Sequence, residues 1–66
     1  MNEVTLRLDA TWHLTVAVGD TVRRGQKMNE SPETDESSRA PVSGTVKSIQ
    51  FDPGHHEFVI VMAAAS

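Results

Sequence analysis

The residues whose types could do chemistry fall in two places. His55-His56-Glu57 sets two imidazoles beside a carboxylate, a ligand composition that His13 would extend. Adjacent residues on a strand face opposite sides, so His55 and His56 can chelate one ion only within a turn or with help from a second chain. A polar turn flanking a core strand is the plainer reading. The second place is Ser31-Pro32-Glu33-Thr34-Asp35-Glu36-Ser37-Ser38. Its serines would need a neighbouring base to act as nucleophiles, and the sequence places no histidine beside them. Its carboxylates, Glu33, Asp35 and Glu36, are expected to be solvated on a flexible loop, which cannot hold acid-base geometry. The glycines are isolated and precede strands rather than a helix, so no phosphate-cradling loop is present. The expectation is a non-catalytic chain without cofactor or metal.

Composition narrows the field further. The chain has 66 residues, enough for one domain, 1–66, with a small core and marginal stability. It contains no cysteine, so neither a disulfide nor a thiolate metal site can staple it. Nine acidic residues against six basic ones leave a net charge of -3, which argues against a general nucleic-acid surface. No apolar run approaches the roughly 20 residues of a membrane span. Met1-Asn2-Glu3-Val4 lacks the basic-then-apolar order of a secretory signal. A cytoplasmic protein or peripheral domain is the expectation.

The elements that must position these groups read as strands. Val4, Leu6 and Leu8 alternate with polar residues and predict a half-buried strand. Trp12, Leu14, Val16 and Val18 repeat that period and predict a second, ending at Gly19-Asp20. Lys27 to Glu30 should be a short strand with Met28 inward. The 31–38 stretch, without an apolar residue, predicts an exposed, mobile acidic loop. From Ala40 to Phe51 a strand is expected, with a bulge where the phase changes between Val46 and Ile49. Asp52-Pro53-Gly54 is a turn signal. Phe58 to Met62 is continuously apolar, which fits a strand buried on both sides or an edge awaiting a partner. The predicted core is Leu6, Leu8, Leu14, Val16, Val18, Val22, Val42, Val46, Ile49, Ile60 and Met62, and the tail 63–66 is expected to fray.

Two stretches carry a more specific signal. Val16-Ala17-Val18-Gly19-Asp20-Thr21-Val22-Arg23-Arg24-Gly25-Gln26 is followed by Ala40-Pro41-Val42-Ser43-Gly44-Thr45-Val46-Lys47-Ser48-Ile49. Together, in this order, they resemble the biotinyl/lipoyl attachment domain family. The resemblance implies an all-β barrel-sandwich hybrid, a flattened barrel of two short antiparallel sheets. Carriers of that family present a modified lysine on the hairpin before the Ala-Pro pair. The matching place here is Glu33, and no lysine occurs from Asn29 to Arg39. Biotin and lipoate form amides with an amine, which Glu33 does not have. Lys27, beside Gln26 at the start of the hairpin, is the nearest alternative.

The family often repeats its Gly-Asp motif after the second stretch. Here that region reads Pro53-Gly54-His55-His56-Glu57-Phe58, without a second glycine. This shortened ending is similar to the lysine-less sandwich domain embedded in the C component of Rnf-type electron-transport complexes. That likeness implies an unmodified domain acting in docking or assembly, with redox-complex subunits as protein partners and a place peripheral to the inner membrane. Two alternatives stand beside it: a biotin or lipoate carrier modified at Lys27, and a homo-oligomeric module in which the Phe58–Met62 strand pairs across chains.

Overall fold

A computed structural model describes residues 2–65 of the chain. It is all-β, with four antiparallel strands in one curled, half-barrel sheet. The strands are β1 (Glu3–Asp9), β2 (Thr21–Val22), β3 (Gly44–Asp52) and β4 (Glu57–Ala64). They lie side by side in the order β1-β4-β3-β2. Residues between β2 and β3, and those after β1, wrap the concave side through two isolated bridges, Leu14 with Asn29 and Lys27 with Arg39.

β1 forms because Val4, Leu6 and Leu8 alternate onto the inner face, where Leu8 is buried. Opposite them on β4 stand Met62, Ile60 and Phe58. β3 adds Val46 against Met62, then Ile49 against Ile60. The step from Val46 to Ile49 is one residue longer than the step from Met62 to Ile60, and the register shifts between Val46 and Ser48. The bulge read from the sequence is therefore present, with Lys47 as the displaced residue.

Gly44 fixes where β3 begins. A Cβ there would lie inside the backbone of Ala63 and 3.0 Å from the Ala64 Cα. Only glycine lets β3 approach β4 this closely. The strand accordingly starts at Gly44 rather than Ala40, and 40–43 run on as irregular chain.

The core consists of Leu8, Val16, Val22, Met28, Ala40, Val46, Ile60 and Met62, with Leu6, Leu14, Val42, Ile49 and Phe58 packed partly buried against it. Met28 is fully enclosed although its neighbours form no strand, only single bridges. Burying a side chain of this size stabilises by roughly 1.5–3 kcal/mol.

Several expectations need correction. Trp12 to Val18 is not a strand, and Val18 is 60% exposed rather than in the core. The chain turns sharply there: Asp20 N–H donates to Ala17 O (3.0 Å), Ala17 N–H donates to the Asp20 carboxylate (2.9 Å), and Gly19 takes a φ of 94°. Val18 sits inside that turn, so it points to water. The 31–38 segment is not uniformly exposed, because Ser31 and Ser38 are buried and Glu36–Ser38 forms a 3-10 turn. Ala63 and Ala64 belong to β4 and do not fray, while Ser66 lies outside the described residues. β4 is not an edge, since β1 and β3 flank it on both sides. That removes the cross-chain pairing expected of Phe58–Met62.

Candidate functional site

Lys27 enters the site from the bridge to Arg39, which brings the start of the 27–39 hairpin against its end. Met28 N–H donates to Ser38 O (2.9 Å) and Ala40 N–H to Gln26 O (2.9 Å), so the two arms are held together by backbone. The half-buried Lys27 side chain then runs between them. Its Nζ donates to Ser38 Oγ (2.6 Å), to Ser31 Oγ, to Pro32 O (3.2 Å) and to Asn29 Oδ1 (3.4 Å). Ser31, Ser38 and Asn29 are 5%, 1% and 3% exposed.

The hydroxyls around the ammonium are ordered in one direction. Ser31 Oγ–H donates to Ser38 Oγ (3.1 Å), and Ser38 Oγ–H donates to Asp35 O (2.8 Å). Ser31, Ser38, Asn29 and Pro32 thereby each keep a lone pair for the Lys27 N–H groups, an arrangement that suits a charged ammonium. A serine nucleophile needs its lysine as acceptor; here the lysine is the donor, and both hydroxyls are buried away from any substrate. The geometry is that of a clamp. None of the buried side-chain polar atoms among the described residues lacks a partner.

Arg39 closes the loop from outside. Nη1 donates to Gly25 O (2.9 Å), Nη2 to Glu33 O (3.2 Å) and Glu33 Oε1 (3.1 Å), and Nε to Glu36 Oε2 (3.3 Å). The Asp35 carboxyl is held below the usual carboxylate range, chiefly by the Ser37 hydroxyl, then by Ser31, with Lys27 adding attraction. Asp35 N–H donates to Pro32 O (2.8 Å), which closes a turn with Glu33 and Thr34 at its centre. Glu33 thus stands at the hairpin tip, 83% exposed, where the family resemblance expects a carrier lysine.

The histidines are dispersed. His55 Nδ1 lies 2.9 Å from Asp52 Oδ2, whereas His56 packs edge-on against Phe51, ring centroids 5.8 Å apart. His56 adopts a φ of 52°, which turns the two rings apart. His13 lies on the distant segment bridged to 29–30 by Glu30 N–H donating to His13 O (2.9 Å). No group of three His, Asp or Glu converges on one point among the described residues. Asp52 instead anchors an ion network: Arg7 Nη1 donates to Asp52 (2.9 Å) and to Glu57 (3.2 Å). Its carboxyl is lowered to about 2, first by Arg7 and next by His55.

A second feature is an open groove of about 760 Å3 over the β2 end of the sheet, lined by Arg23, Arg24, Ser43, Gly44 and Ala63–65 among others. Arg23 and Arg24, both exposed, are its only charged lining residues among the described residues.

Sequence reasoning placed Glu33 at the tip but missed Ser31, Ser38, Asn29 and Arg39 as a connected cluster. The signal was the single lysine opening a hairpin otherwise rich in hydroxyls and acids. No helix among the described residues is long and apolar enough to cross a membrane. Comparison with protein-family models, curated proteins and solved structures yields no match for this chain.

Proposed function

We propose that the chain is an unmodified domain of the biotinyl/lipoyl type that works by docking to protein partners rather than by carrying an acyl group. The observation that carries this reading is the state of Lys27. Its amine is surrounded by four oxygens and pinned between the arms of the hairpin. A carrier amine must be free and protruding to attack an activated acyl group, whereas this one would have to break its hydrogen bonds first. The residue that does protrude, Glu33, has no amine.

The two motifs and the His-His-Glu-Phe ending favour subunits of a membrane electron-transfer complex as partners. The exposed arginines Arg23 and Arg24 and the acidic tip give the domain two surfaces of opposite charge, and such charges steer encounter and orientation. The test is photo-crosslinking in native cells from probes placed at Arg24 and at Glu33, followed by capture of the adducts. Adducts with redox-complex subunits from either position support the reading. Recovery of a biotin or lipoate ligase, with acyl mass added to the bait, contradicts it.

A further inference from the structure

β1 leaves an edge of the sheet open. Ala64 N–H donates to Asn2 O and Ala10 N–H to His56 O, which frame the ladder between β1 and β4. In an antiparallel pair, hydrogen-bonded residues alternate. Val4, Leu6 and Leu8 therefore turn their backbone groups toward β4, and Glu3, Thr5 and Arg7 turn theirs away. Among the described residues nothing pairs with the backbone of those three. The opposite edge, β2, is only two residues long and offers no comparable run.

We propose that this edge pairs with β1 of a second copy of the chain, antiparallel about a two-fold axis at Thr5. The register is chosen by charge. With the axis at Thr5, Glu3 of each copy faces Arg7 of the other, Thr5 faces Thr5, and Val4 faces Leu6 on the inner side. Opposite charges, threonine pairs and apolar pairs directly across strands are all favourable. An axis at Leu6 would oppose Glu3 to Asp9 and an axis at Arg7 would oppose Arg7 to itself, both setting like charges together, while an axis at Val4 would put Glu3 opposite Thr5 and lose both Glu3–Arg7 pairs. Arg7 uses only Nη1 within its own chain, leaving Nε and Nη2 for the second copy. Val4 and Leu6, half-buried in the single chain, become covered. The result is one continuous eight-stranded sheet with an isologous interface. It is independent of the docking reading above.

The chain has no cysteine, so single thiols report the register directly. At the axis, paired Thr5 Cα atoms would be about 5.5 Å apart, within disulfide range. Two Glu3 positions would be roughly 13 Å apart. Under mild oxidation Thr5→Cys should link into a covalent dimer and Glu3→Cys should not, except when mixed with Arg7→Cys. In sedimentation equilibrium the unaltered chain should dimerise, Glu3→Lys should bind about tenfold more weakly, and Thr5→Pro should be monomeric. The Thr5 N–H points away from β4, so proline spares the internal ladder, and hydrogen exchange at Val4 and Leu6 checks that it has. A monomer at about 1 mM chain, or a dimer that survives Thr5→Pro, overturns the proposal.

Discussion

Lys27 Nζ and Ser38 Oγ lie 2.6 Å apart although they stand eleven positions apart in the chain. This contact joins the two arms of the hairpin beside the buried Met28, whose N–H bonds Ser38 O. Replacing Lys27 by Met should keep the stem but leave the oxygens of Ser31, Ser38 and Asn29 without their shared donor. The expected cost is about 1–3 kcal/mol, read as a lower urea midpoint. Faster amide exchange at Met28, whose N–H bonds Ser38 O, should accompany it.

That contact also marks the limit of what the sequence shows. β1 and the bulge near Lys47 are legible because strand period is local, whereas the close approach at Gly44 depends on the distant backbone of Ala63 and Ala64. The family resemblance points to Glu33 on the hairpin, and a turn with Glu33 and Thr34 at its centre forms there. The burial of Ser31 and Ser38 is not legible, because it depends on a lysine reaching across the hairpin, and hydrophilicity alone says only that such residues tolerate water. Val18 misleads for a related reason. Its alternation is correct, but the capped turn at Ala17–Asp20 overrides it. The central position of β4 follows from long-range pairing with β1 and β3, which a continuous apolar run suggests without specifying.

Gly44→Ala should be among the most damaging single changes. The new methyl would meet backbone of Ala63 and Ala64, which cannot move without opening the β3–β4 ladder. Overpacking of this kind costs typically about 1–3 kcal/mol or more. Gly54→Ala is the control, since its nearest neighbour would be Asp52 Oδ1 at 3.4 Å. Thermal unfolding of the two variants should separate them clearly.

Stability should fall in acid through Asp52. Its carboxyl, bonded by Arg7 and then His55, titrates near 2 in the folded chain against roughly 3.9 when unfolded. A depressed folded pKa means the contribution is complete above about pH 4 and is lost as pH drops toward 2. Asp52→Asn should remove that part of the pH dependence, seen as a flatter plot of urea midpoint between pH 4 and 2. An unchanged slope would show that other carboxylates dominate.

His56 holds a left-handed backbone conformation that glycine adopts without cost. His56→Gly and His56→Ala both lose the edge contact with Phe51, so the difference between them isolates the backbone. The glycine variant should be more stable than the alanine variant by about 1 kcal/mol.

If the tip matches that of the carrier family, Glu33→Lys should create an acceptor where the chain lacks one. Exposed and, among the described residues, paired only with Arg39, Glu33 can be replaced at little cost to stability. Incubated with a lipoate or biotin ligase and the activated acid, the variant should gain one acyl group, located at position 33 by peptide mapping.

On the proposed reading the native chain works without acylation and Lys27 serves as a clamp. The most direct measurement is the intact mass of the protein purified from its own cells, with peptide mapping across Lys27. The expected result is the unmodified mass and an unaltered Lys27 peptide. A lipoyl or biotinyl increment on Lys27 would contradict it and make the chain a carrier.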